Sequence, residues 1–140
     1  MFSRKNLVYI FTILECIEKI FIYSNDCKDE LDFFEKNNQM NFNACYNLML
    51  VIGEESKKIE PNLKACYPKI DWKNIVDFRN VLAHDYTGVD SKIIFSAIKT
   101  NLPNLKESAI DMIQKVGMDK AEIKEMVETD WYKHLTYLLK

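Results

Sequence analysis

Glycine and proline are scarce in this chain, with three of each in 140 residues. Tight turns draw heavily on both, so a fold built from many short strands is excluded. Arginine is scarcer: of 19 basic residues, 17 are lysine and only Arg4 and Arg79 are arginine. There are two histidines, His84 and His134. The net charge of −2 excludes a nucleic-acid coat protein, which needs a broad basic face. It leaves room for an enzyme with a small local positive site. The four cysteines, at 16, 27, 45 and 66, form no C-x-x-C and have no histidine at zinc spacing. No metal site or cofactor is expected, and the cysteines read as buried or neutral thiols of a reducing cytoplasm. A long apolar run is also missing. The stretch from Leu7 to Leu14 meets Glu15, Glu18 and Lys19 at once, too soon for a membrane span, and no small-residue cleavage site follows it.

What is present is helical periodicity. A chain of this length is one domain by default and can bury about two thirds of its unfolded surface. Leu7, Ile10, Phe11, Leu14, Ile17 and Phe21 repeat at helical spacing over 4–24, and Val8, Ile13, Ile20 and Ile22 add a second apolar side. A helix apolar on two sides needs two neighbours. A short helix is possible around Glu30–Lys36. A second long helix is expected over 40–59, where Gly53 and Ser56 permit close approach of another helix and Glu54 and Lys58 stand at i,i+4. Pro61 and Pro68 bracket an irregular segment. Asp71 is an N-cap for a helix over 72–83, and Asp90 for one over 91–115 that Pro103 should kink. Gly117 is a fitting stop. Asp119 and Glu122 have capping-box spacing, opening an amphipathic helix over 120–138. The expected organisation is an all-α bundle of four to five helices: a helical domain over 1–117 and a C-terminal amphipathic helix, within 118–140, packed on it.

One stretch stands apart. Arg79-Asn80-Val81-Leu82-Ala83-His84-Asp85-Tyr86 places the rarer cation and one of two imidazoles five positions apart. Arginine offers a planar fork suited to phosphate or carboxylate, and histidine exchanges protons near neutral pH. Arg79 shares a face with Trp72, Ile75, Val76 and Ala83, so it should point toward packed structure and find an anion, a carboxylate or a lined cleft. Five residues of helix turn through about 500°, which leaves His84 about 140° from Arg79. Either the helix ends near Ala83 and turns His84 back, or the site forms between two chains. His134, with no partner motif, reads as structural.

The pattern R-x4-H-x-Y resembles the signature of the HEPN superfamily, and in detail that of the HepT toxins of HepT/MntA toxin–antitoxin systems. The run Leu48–Lys57 (LMLVIGEESK), then Tyr67–Ile75 (YPKIDWKNI), Thr87–Asp90 (TGVD) and Asn101–Leu105 (NLPNL) follow the family's segments in order across roughly 5–115. Asp71 stands where many relatives carry proline, and the tail after Gly117 lies outside the pattern. The resemblance implies a HEPN-type antiparallel bundle and a homodimer with both motifs facing a shared cleft. It implies metal-independent cleavage of RNA, in which the 2′-OH attacks the adjacent phosphate and leaves a 2′,3′-cyclic phosphate. His84 would exchange the protons, Arg79 would stabilise the phosphate, and Asn80 would position the phosphate or His84. Glu54 would support a site residue. Tyr86 would accept AMP from an MntA-like nucleotidyltransferase, which neutralises the toxin. The resemblance also admits a non-catalytic reading, an adaptor that binds a nucleotidyltransferase or presents its substrate, and the acidic composition fits it. A blander reading keeps the tail helix for oligomerisation alone.

Overall fold

The computed structural model describes residues 1–140, and every regular element in it is a helix. The first, α1 (Asn6–Ser24), is the axis of the core. Ile10, Phe11, Ile13, Leu14, Ile17 and Ile20 are all but inaccessible to solvent. Each such side chain contributes about 1.5–3 kcal/mol by leaving water. The two apolar sides find their neighbours in α2 (Glu30–Lys58) on one flank and α6 (Leu102–Val116) with the C-terminal segment on the other. Val8 and Ile22, grouped by the sequence with the second side, are half-exposed.

Two limbs make up α2. Asp29 caps the first, accepting from Asp32 N at 2.8 Å. At Lys36 the backbone becomes extended, and Asn37, Asn38 and Gln39 follow at φ 53°, 56° and 71°. Asparagine tolerates this left-handed region better than most residues. Asn41 then ties the turn to α1 by donating to the Tyr23 carbonyl at 2.7 Å. The second limb, 40–58, carries Phe42, Cys45, Tyr46, Met49 and Ile52 inward. The expected Glu54–Lys58 pair does not form; Lys58 meets Glu55 at 2.9 Å, and Lys57 lies 3.6 Å from Glu54.

A single helical turn, α3 (Pro61–Lys64), occupies the segment between the prolines that was expected to be irregular. The Asp71 carboxylate accepts from Asn74 N at 3.0 Å and starts α4 (Trp72–His84). α4 lies against α2, and α5 (Ser91–Thr100), capped by Asp90, packs on α2 and α6. The single kinked helix expected over 91–115 is two helices. α5 stops at Thr100 and α6 opens at Leu102 with Pro103 in its first turn, where a missing N–H costs nothing. Gly117 ends α6 at φ 95°.

The tail departs further from expectation. The capping box of Asp119 and Glu122 opens α7, but α7 runs only Lys120–Val127. A turn follows, then a 3-10 helix (Lys133–Leu139), in place of one helix through 138. Contacts to α1 select this path. Tyr132 Oη pairs with Thr12 Oγ1 at 2.9 Å, His134 Nδ1 lies 2.6 Å from the buried Glu15 carboxylate, and Leu135 is fully enclosed. At the other end Arg4 forms an ion pair with Glu122 and donates to the Gly117 carbonyl.

All four cysteines are free, and burial pushes Cys16 and Cys45 up to about 12. Cys66 alone is exposed. No helix is long and apolar enough to cross a membrane.

Candidate active site

The site is built where α4 crosses α2, and a missing side chain permits the crossing. A Cβ at Gly53 would lie 2.6 Å from Arg79 Cγ and closer still to Arg79 Cβ. Glycine therefore lets the stem of Arg79 rest on the α2 backbone. The guanidinium then extends along α2, and its Nε lies 2.5 Å from Glu54 Oε1. Both atoms are shut off from solvent, yet the N–H is not aligned for a hydrogen bond. The contact is therefore an ion pair, one a purely structural arginine would also make. The outer edge of the fork is differently placed: Nη1 donates to Asn80 Oδ1 at 3.1 Å, and Nη2 enters no hydrogen bond.

His84 is the last residue of α4, and Asp85 N still donates to the Val81 carbonyl at 3.0 Å. The helix thus runs one residue past the end expected near Ala83. Arg79 faces α2, while His84 is exposed and makes no hydrogen bond or ion pair. Asn80 stands between the two. It is the sequence neighbour of Arg79 and accepts from it, and it stands at i−4 to His84 on the outer face of α4. The same stripe carries Lys73 and Asp77, paired at 2.6 Å.

Tyr86 lies just past the end of α4. Its hydroxyl donates to Asn43 Oδ1 on α2. Its ring packs edge-on against Tyr46, with centroids 5.1 Å apart. Half of the Tyr86 side chain is open to solvent. The Tyr46 hydroxyl donates to the Leu82 carbonyl at 2.6 Å, satisfying one of the last acceptors of α4. Burial raises Tyr46 above the ordinary phenol value, with Asp85 and Tyr86 adding to it. Behind the turn, Gly88 makes room for the Asp85 carboxylate, since a Cβ there would lie 2.6 Å from Asp85 Cγ.

Arg79, Asn80 and Glu54 thus form one connected group, His84 lies on the outer face of α4 four residues beyond Asn80, and Tyr86 follows two residues later, past the end of the helix. Asn43 and Tyr46 escaped the sequence reading as site residues. Their signal was spacing: Asn43 and Glu54 are eleven residues apart, which returns to the same stripe of a helix. No three histidine, cysteine, aspartate or glutamate side chains converge as they would around a metal ion.

Fold and site together define a small helical-bundle protein that presents an arginine, a carboxamide and an imidazole along one helix. The comparison with protein families is decisive about its kinship. The family described as "Ribonuclease HepT-like" matches residues 13–112, and the chain belongs to that family, within the HEPN superfamily. Relatives agree. A Thermococcus cleftensis protein provisionally named ribonuclease HepT is 31% identical over 74% of this chain and 92% of its own length. A Methanocaldococcus jannaschii protein provisionally named an RNase is 29% identical over 76% of this chain and 95% of its own. A second protein of that organism, named a gamma-glutamylcyclotransferase as well as a provisional RNase, is 31% identical over 84% of this chain. This chain spans 52% of that protein's length. No solved structure gives a significant match.

Proposed function

We propose that this protein is a metal-independent endoribonuclease, the toxin of a toxin–antitoxin pair. The observation that carries the proposal is the order of polar side chains on α4: Arg79 is ion-paired to Glu54 and donates to Asn80, and the exposed His84 stands four residues beyond Asn80. RNA supplies the nucleophile. The ribose 2′-oxygen attacks phosphorus, the P–O5′ bond breaks, and the products are a 2′,3′-cyclic phosphate and a 5′-hydroxyl. An imidazole accepts the 2′-OH proton, and an imidazolium returns one to O5′. Arg79, its Nε beside Glu54 and its Nη1 on Asn80, turns its free Nη2 to the phosphoryl oxygens as charge grows on them. Asn80 holds that end of the fork on the outer face of the helix.

The 140° between Arg79 and His84 argues for a homodimer, in which α4 of a second copy closes the cleft. One copy's His84 then removes the proton and the other's donates. The exposed His84 fits such a face. Tyr86, half-exposed two residues past His84, is the site at which an MntA-like nucleotidyltransferase attaches AMP. The added phosphate would occupy the arginine's free edge and exclude RNA.

The test is cleavage of a labelled single-stranded RNA in EDTA. Wild type should leave a cyclic phosphate end, while His84→Ala and Arg79→Ala should not cleave. The Glu54–Arg79 ion pair favours a second reading, the non-catalytic adaptor, because it gives Arg79 a structural partner. Absence of cleavage by protein shown by mass to be unmodified would select the adaptor.

A further inference from the structure

Beside the site lies a groove of about 470 Å³, bounded by α2, α4, α5 and α6. Its interior is apolar, with Met49 below, Phe78 on the α4 side and Ile93 on the α5 side. Its rim carries Lys69 and Lys92, whose ammonium groups take part in no ion pair or hydrogen bond. The Asn74 carboxamide is also without a partner at the groove. Asp71, the only carboxylate there, is engaged in capping α4. An apolar slot with a ring wall, a free carboxamide and two unpaired cations is matched to a flat heteroaromatic group carrying negative charge.

The groove's place on α4 says which such group. Phe78 and Asn74 precede His84 on the same helix, and Phe78 is about 9 Å from it along the axis. Between the groove face and the His84 face stands Val81, half-exposed and unpacked. A strand whose phosphate lies over Asn80 and His84 can pass across Val81 and lay its neighbouring base in the groove. We propose that the groove is the subsite for a nucleobase of single-stranded RNA adjoining the cleaved bond, with Lys69 and Lys92 holding the flanking phosphates. The base enters only if unstacked, which makes the enzyme selective for unpaired RNA. This proposal rests on the endoribonuclease reading.

The experiment uses the full chain carrying His84→Ala, so that RNA is bound and not cut, with a short RNA containing 4-thiouridine. Irradiation should cross-link the base to peptides containing Phe78 or Ile93, and the same sequence in a duplex should not cross-link. Lys92→Glu and Ile93→Lys alter exposed positions of α5 and should each weaken binding about tenfold. RNA that binds with unchanged affinity to both variants and cross-links elsewhere overturns the subsite while leaving the endoribonuclease reading intact. If Ile93→Lys halves the mass in solution, the groove is an interface between copies and the subsite is likewise overturned. If wild-type protein neither binds nor cleaves the RNA, the endoribonuclease reading itself fails.

Discussion

Replacing Gly53 with alanine tests the crossing on which the site depends. In the interior of a helix this change ordinarily stabilises by about 0.5–1 kcal/mol, because glycine loses the most backbone freedom on folding. At Gly53 the new methyl would sit 2.6 Å from Arg79 Cγ, nearer to Cβ, and 3.6 Å from Arg79 Cα. These are stem atoms close to the backbone, not the tip of a flexible side chain, so α4 must move away from α2. Overpacking of this kind costs about 1–3 kcal/mol. The net expectation is a loss of roughly 1–2 kcal/mol, seen as a fall in Tm of about 2–8 °C for a chain near this size. Cleavage should fall more steeply, by about a hundredfold, since a displacement near 1 Å misaligns the phosphate-holding edge. Gly117→Ala is the control. Its φ of 95° makes alanine strained by roughly 1–2 kcal/mol, but nothing lies within 4 Å of the new methyl. The two variants should lose similar stability by urea denaturation, and only Gly53→Ala should lose activity. If Gly53→Ala raises Tm and cleaves RNA normally, the account of the crossing is wrong.

Tyr46→Phe removes the hydroxyl that satisfies the Leu82 carbonyl, and should lower stability by about 1–2 kcal/mol in urea titrations. His134→Ala leaves the enclosed Glu15 without the contact at 2.6 Å; a loss of about 1–3 kcal/mol with unchanged RNA cleavage is expected, and altered cleavage would give the tail a direct role. Native protein at pH 8 should react with a thiol reagent at Cys66 first, while Cys16 and Cys45 stay protected until unfolding. Alkaline pH should destabilise the fold. The thiols of Cys16 and Cys45 stay protonated in the folded state up to about 12, whereas unfolded thiols ionise near 9.0. Their stabilising effect is whole below about pH 9 and lost as pH rises toward 12. A urea midpoint that does not drop between pH 8 and pH 11 would contradict this.

Where the chain signals its own ends, the elements were legible. Asp71, Asp90 and Asp119 each accept the backbone N–H that their position before an apolar run implies. Gly117 stops α6 in the left-handed conformation that glycine favours. The two-sided apolar pattern of α1 marked it as central, and it is. What failed was the reading of each of two long repeats as one helix, the first only kinked at Pro103. Apolar spacing over 91–115 and 120–138 continues across both breaks, since the residues on either side still face one core. Periodicity records which side is buried and is silent about whether the backbone is continuous. In the tail the deciding partners, Thr12 and Glu15, lie on α1 more than a hundred residues away in sequence. No local signal announces that a lone histidine will meet a buried carboxylate.

The site shows the same division between spacing and contact. From spacing alone, residues i and i+5 of a helix cannot meet, and the sequence left open how Arg79 and His84 act together. The unbroken α4 makes that separation real within one copy. Asn80 is the residue that is adjacent to the arginine in sequence and one helical turn from the histidine. It accepts from the guanidinium edge that Glu54 leaves free. The order Arg-Asn-x3-His thus places a carboxamide between two diverging side chains, bonded to the arginine and four residues before the histidine on the outer side of α4. Gly53 and Glu54 on α2 fix the arginine end of this surface. Because the surface lies along a helix and is not enclosed in a pocket, a single copy leaves Asn80 and His84 open on its outer side.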